Sequence, residues 1–134
     1  MRLAAEAVPL EAAEQMAVVE WAELNGLRLT SIPNATYTTS WNQKHKNHRE
    51  GLRAGFPDLI VLIMPDQAKD GLGHLLCVEM KRVKGGVVSQ VQKDWAMALN
   101  GLKSPNIEAV VAHGADEAIE YLASFLKQQT AHPF

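Results

Sequence analysis

Asp58 directly follows Gly55-Phe56-Pro57, and Glu79 lies two positions before Lys81. Both acids belong to apolar runs. Asp58 opens Leu59-Ile60-Val61-Leu62-Ile63, while Glu79 and Lys81 close the run that starts at Leu75. Pro57, Pro65, Gly73 and Gly85-Gly86 punctuate these runs, so both read as strands. The turn-rich connection through Asp66, Asp70 and Gly71 implies an antiparallel hairpin centred near Lys69. Reflection about that residue sets Asp58 opposite Met80, among Glu79 to Lys81. Side chains alternate along a strand, so Leu75, Cys77, Glu79 and Lys81 share one face and Leu76, Val78 and Met80 the other.

Three ionisable groups at one strand end lose hydration unless they are paired. A divalent cation supplies the pairing. Asp58 and Glu79 offer hard oxygen ligands, the Met80 carbonyl a third, and water fills the remaining octahedral positions, as suits Mg²⁺ or Mn²⁺. Lys81 then stands where it can orient or help deprotonate that water and offset charge growing on a phosphorane-like transition state.

The elements that must position these groups follow from periodicity. Ala12, Met16, Val19 and Leu24, with Ala13, Ala17 and Trp21 beside them, predict an amphipathic helix from Glu11 to about Asn25, ended by Gly26. Leu27 to Ile32 reads as a strand stopped by Pro33-Asn34, and the polar stretch to Ala54 as a long loop with one short helical piece. Ser89 is the expected cap of a helix carrying Val91, Trp95, Ala98, Leu99 and Leu102 on its packing side and stopping near Gly101. Ile107 to Ala112 reads as a strand. Ala115-Asp116 opens a last helix with Ile119, Leu122, Ala123 and Leu126 on one stripe, and the tail Gln128 to Phe134 is expected to fray. The sum is an α/β sandwich, a small mixed sheet flanked by helices.

Composition agrees with a globular domain. Of 134 residues, 47% are hydrophobic and 21% charged, which excludes disordered, collagenous and membrane-spanning classes. Leu59 to Met64, the longest apolar stretch, is far short of the roughly 20 residues that cross a bilayer. The lone Cys77, within an apolar run, reads as a buried thiol in a reducing compartment. The net charge of -2 hides a basic middle: residues 42–84 carry eight basic against five acidic side chains. Lys44, Lys46, Arg49 and Arg53 precede Asp58, and Arg82 and Lys84 follow Lys81; all six are candidate DNA phosphate contacts. His45 and His48 lack the partners of a zinc site, and His113 falls at a strand end with no assigned role.

Gly55-Phe56-Pro57-Asp58 followed by Glu79-Met80-Lys81 resembles the active-site motif of the PD-(D/E)XK nuclease superfamily. More specifically, the chain resembles small stand-alone bacterial and phage members of the VRR-NUC family. That family orders a Glu-x-x-x-Gln helix, an Ile-Pro-Asn turn, a Gly-x-Pro-Asp strand start, a Glu-x-Lys strand and a Ser-x-x-Gln-x-x-Trp helix. Here these are Glu11 with Gln15, Ile32-Pro33-Asn34, Gly55 to Asp58, Glu79 to Lys81, and Ser89, Gln92 and Trp95. Val78 to Arg82 reads Val-Glu-Met-Lys-Arg where the family name refers to a Val-Arg-Arg-like signature.

The resemblance implies a restriction-endonuclease-like core of αβββαβ order, in one domain over residues 1–134 with its core at about 10–128. It implies a Mg²⁺- or Mn²⁺-dependent DNA endonuclease leaving 5′ phosphates. Glu11 would join Asp58, Glu79 and the Met80 carbonyl as a metal ligand, with Glu14 one turn away as an alternative, and Gln92 would act in the site beside Lys81. Small stand-alone members resemble Holliday-junction resolvases, which need two active sites. A homodimer on branched DNA is therefore expected, in the cytoplasm of a bacterial or phage-infected cell. Two alternatives use the same residues: a non-catalytic DNA-binding accessory protein of a phage replication or recombination complex, and an RNA nuclease, since nothing here reads the 2′-hydroxyl.

Overall fold

A computed structural model describes residues 10–33 and 40–127. Among them the chain runs α1 (Glu11–Leu24), β1 (Arg28–Ser31), α2 (Trp41–Arg49), β2 (Leu59–Ile63), β3 (His74–Lys81), α3 (Gln90–Gly101), β4 (Ile107–His113) and α4 (Ala115–Ala123). The strands form one mixed sheet in the order β1-β2-β3-β4. The first three are antiparallel in turn, and β4 runs parallel to β3. A parallel neighbour requires a crossover, which α3 provides. The architecture is the mixed α/β sheet with flanking helices expected from the sequence.

The central strands read as continuous apolar runs because both faces of the sheet are covered. Leu59, Val61 and Ile63 of β2 and Leu76, Val78 and Met80 of β3 pack with Val18 and Ala22 of α1 and with Ala115, Ala118 and Leu122 of α4. Each fully buried Val, Leu, Ile or Met among them contributes roughly 1.5–3 kcal/mol. Alternation turns Cys77, Glu79 and Lys81 to the opposite face, toward α3. Cys77 is a buried free thiol whose pKa burial raises, so it is inert packing.

Four expectations need correction. The ladder pairs Leu59 with Val78, so the hairpin is centred between Ala68 and Lys69, half a residue before the expected point. An even number of residues separates Ile63 from His74, so the centre cannot fall on a residue. Continued one step, this register sets Asp58 opposite Glu79, not Met80. On α1 the buried residues are Val18 and Ala22, while Met16 (66% exposed) and Leu24 (81%) face solvent. Hydrophobicity alone misplaced that stripe because the inward side includes Glu14, whose Oε1 accepts a hydrogen bond from Ala115 N (2.8 Å). On α3, Val91 and Leu102 are exposed and Trp95 and Leu99 only half-buried, since this helix covers the sheet from one side without a further layer above it. The last helix stops at Ala123, and Leu126 instead forms a β-bridge with Ala68 of the hairpin turn. The short helical piece expected before Ala54 is α2; Asn34 and the tail Gln128 to Phe134 lie outside the described residues.

Asn100 ties α3 to the edge strand β4. Its Nδ2 donates to the Ala109 carbonyl and its Oδ1 accepts from Ala109 N, both at 2.9 Å. This side chain stands in for the missing strand neighbour of a buried residue. Asn100→Ala is expected to lower the unfolding free energy by about 1–3 kcal/mol in urea titration with the slope unchanged; an unchanged midpoint would remove Asn100 from this role.

Candidate active site

The site forms where β2 begins and β3 ends. The approach to β2 is fixed by α3. Gly55 has φ +96°, and a Cβ there would stand 2.9 Å from the Val91 carbonyl carbon, so only glycine lets this loop lie against the helix. Phe56 meets Trp95 edge-on at 5.1 Å, and Trp95 Nε1 donates to the Ala54 carbonyl at 3.1 Å. On the other side Ile32 N donates to the Asp58 carbonyl at 2.9 Å, which ties the Ile32-Pro33 turn to the same point. The Asp58 carboxylate turns toward β3, where Oδ2 accepts from Met80 N at 2.8 Å.

Glu79 and Lys81 are 4% and 6% exposed, a burial that ionisable side chains rarely reach without partners. Glu79 Oε2 accepts from Gln92 Nε2 (2.8 Å) and lies 3.5 Å from Lys81 Nζ. Glu79 Oε1 is buried with no hydrogen-bond partner. Gln92 is itself held by the start of α3. Its Oε1 accepts from Ser89 N (2.9 Å) while Ser89 Oγ accepts from Gln92 N (3.3 Å), a reciprocal cap that leaves the Gln92 amide group aimed at Glu79. Behind Lys81, a Cβ at Gly86 would stand 2.9 Å from the Lys81 Cβ, so glycine leaves this lysine its room.

Electrostatics make the pair of acids costly. Burial first, and then the adjacent Asp58 carboxylate, push Glu79 up to about 8 against the opposing pull of Lys81. When both acids are ionised, one ammonium faces two carboxylates. The orphaned Oε1, the charge imbalance and the hard oxygen donors together fit a divalent cation bound beside Glu79 and Asp58. Among the described residues, however, no group of three or more His, Cys, Asp or Glu side chains is arranged to hold an ion. Glu11 therefore does not complete a ready-made ligand set, although it lines a cleft of about 420 Å³ with Gln15, Ser31, Ile32, Pro33 and Asp58. Glu14 is committed elsewhere: its bond to Ala115 N places a carboxylate at the N-terminus of α4, where the helix dipole favours it.

The basic candidates divide. Lys44, Lys46 and Arg49 are exposed on α2, with Lys46 3.1 Å from Glu50. Arg53 folds back so that Nη1 donates to the carbonyls of His48 (2.7 Å) and Leu52 (3.1 Å), closing the end of α2. Arg82 is half-buried and Lys84 exposed on the turn after β3. His113, to which the sequence assigned no role, pairs in register with Lys81, and its Nδ1 lies 3.3 Å from the Arg82 carbonyl.

A mixed sheet between helices, with an acid at the head of one central strand and Glu-x-Lys at the end of the next, defines a restriction-endonuclease-like nuclease fold. The chain belongs to the VRR-NUC domain family, whose family model matches residues 3–116. The solved structure of a VRR_NUC domain protein superposes with a TM-score of 0.65 at 24% identity, covering 87% of this chain and 88% of that one. A search of curated proteins returns no match. Among the described residues no helix is long and apolar enough to cross a membrane.

The burial of Glu79 gives a pH signature. Well below the usual glutamate pKa the side chain is protonated in both folded and unfolded chains. Between that range and about 8 only the folded protein retains the proton, so stability contributed at this position falls as pH rises. In EDTA, Glu79→Gln is expected to match the wild type near pH 4 and to exceed it at pH 8.5 by a few kcal/mol, because each tenfold gain in proton affinity on folding corresponds to about 1.36 kcal/mol. Melting curves of the two proteins that stay parallel across this range would contradict the burial argument.

Proposed function

We propose that this protein is a Mg²⁺- or Mn²⁺-dependent DNA endonuclease that hydrolyses phosphodiesters in branched DNA such as four-way junctions, working as a homodimer inside a bacterial or phage-infected cell. The carrying observation is Glu79 Oε1, a buried carboxylate oxygen without a partner, next to a second acid at the open end of the sheet. Family membership supports nuclease chemistry, and the strand-end geometry supports a cation site within it.

Asp58 and Glu79 would hold the ion together with the Met80 carbonyl, which strand geometry turns to the same side as Met80 N, toward the Asp58 carboxylate. Glu11 is assigned to the same ion from across the cleft. When bound, Mg²⁺ or Mn²⁺ supplies Lewis-acid polarisation of the scissile phosphate and of the attacking water. Gln92 keeps the Glu79 carboxylate in one orientation, so ligand geometry is set before substrate arrives. Lys81 contributes a buried positive charge beside the reacting phosphate, where it orients water and offsets negative charge that grows in the transition state. In-line attack breaks the bond to the 3′ oxygen and leaves a 5′ phosphate. Lys44, Lys46, Arg49, Arg53, Arg82 and Lys84 are assigned to phosphates along the bound strands. Two sites related by a twofold would cut opposing strands of a junction, which is the reason for the proposed dimer.

Asp58→Ala and Lys81→Ala are each expected to keep the fold and most DNA affinity while lowering junction cleavage at least about a hundredfold. Labelled junction incubated with Mg²⁺, Mn²⁺ or EDTA should be cut only with metal. Cutting that survives either substitution ends the proposal, and DNA retarded but uncut in all three conditions favours the accessory binder. Because Glu79 must lose its proton to bind metal, the rise in melting temperature on adding Mn²⁺ should grow from pH 6 to pH 8.5 and vanish in Asp58→Ala; a pH-independent shift would place the metal elsewhere.

A further inference from the structure

Among the described residues, the helix α2 packs against no other helix or strand and buries no residue. A nine-residue helix standing alone in water is marginal, yet this one is stabilised locally. Ser40 Oγ accepts from Gln43 N (3.2 Å), Gln43 Nε2 donates to Asn47 Oδ1 (2.7 Å), Lys46 pairs with Glu50, and Arg53 closes the far end. These contacts stabilise the helix without covering it.

One side of α2 carries Trp41, Lys44, His45, His48 and Arg49, which together line a shallow surface depression. Their spacing is that of one helical face. Trp41 is 71% exposed, and its ring leans on His45 at 4.4 Å with 47° between planes, so the imidazole props the indole from behind. Trp21 and Trp95 are both half-buried, and neither stands out in this way. The residues Trp41–Arg49 include cations at Lys44, Lys46 and Arg49 and no acid. An exposed aromatic flanked by fixed positive charge complements a nucleic acid with an unstacked base, since every base has a face to stack and a phosphate on either side. A protein partner for this apolar ring would instead have to desolvate the neighbouring cations.

We propose that this face of α2 is a stacking site for an unpaired base of the DNA substrate, with Trp41 as the platform and Lys44 and Arg49 on the adjacent phosphates. The inference rests on the nuclease reading for the identity of the ligand and deepens it: the substrate class is DNA whose pairing is interrupted near the cleavage point. Arg49 precedes Asp58 by nine residues, which limits their separation to roughly 30 Å. Trp41 stands eight helical residues, about 12 Å, before Arg49, so a base held at Trp41 lies within roughly 42 Å of a phosphate at Asp58, a little over one turn of B-DNA at about 34 Å, and both can belong to one bound DNA.

The test uses the full chain in EDTA, which removes cleavage from the measurement. Fluorescence anisotropy compares a duplex carrying a short central run of unpaired thymines with the same duplex fully paired. Wild type should prefer the interrupted duplex. Trp41→Ala should reduce that preference roughly tenfold or more, and Trp41→Phe should retain most of it. Far-UV circular dichroism of both variants should overlay the wild type, because alanine and phenylalanine are both tolerated at a helix start. An unchanged preference in Trp41→Ala overturns the inference. So does an equal loss on both DNAs, or a change in oligomeric state by light scattering, which would make the ring a protein contact. The two readings fail separately. Wild type that never cuts with Mg²⁺ or Mn²⁺ but shows the Trp41 effect removes the nuclease reading alone; a cutting enzyme without the Trp41 effect removes this one alone.

Discussion

Glu79 holds a carboxyl group out of water with Asp58 on one side and Lys81 on the other, and its Oε1 accepts no hydrogen bond. Such a group is unfavourable in an isolated fold, because burial and a neighbouring acid both oppose its ionisation. The surrounding structure enforces it nevertheless. Met80 N fixes Asp58, Gln92 fixes Glu79, and the glycines at positions 55 and 86 let α3 and the turn after β3 close on the pair. In the proposed reading a divalent cation offsets that cost, since it has the charge and the donor preference to match two carboxylates.

The rest of the fold can be understood as support for that strand end. The sheet needs β2 and β3 in antiparallel register so that Asp58 reaches Glu79, and it needs β4 parallel to β3 so that α3 crosses over with its first turn above the site. Asn100 then secures the other end of α3 to β4, while Glu14 secures α1 to the head of α4. α3 is thus fixed at the end remote from its cap at Ser89 and Gln92, whereas α1 is fixed within its own first turn, beside Gly114, whose N donates to the Lys81 carbonyl.

Much of this was legible in the sequence. Proline and glycine bracket the two central runs, period-two alternation places Glu79 and Lys81 on one face, and Ser89 with Gln92 has the spacing of a helix cap. The family motifs located Gln92 at the site, and the structure brings it to Glu79. Three features were not legible, each for a physical reason. Register depends on whether the turn holds an odd or even number of residues, and a boundary error of one residue shifts it. The inward side of α1 is set by Glu14, a polar residue whose partner lies a hundred positions away in the chain, so no local hydrophobic pattern reveals it. The exposure of Trp41 follows from α2 having no described helix or strand packed on it, and periodicity within nine residues cannot report an absent neighbour. A signal was nonetheless present there, since a tryptophan at the head of a polar, cationic stretch has no core to enter.

The central claim is that Glu79 and Asp58 share a cation. A crystal grown at pH 8.5 and soaked in Mn²⁺ tests it most directly through anomalous scattering. The expected result is a peak bridging the two carboxylates, with Glu79 Oε1 among its ligands and Gln92 still on Oε2. Two carboxylates left bridged by a proton, with no anomalous density between them at saturating Mn²⁺, would contradict it.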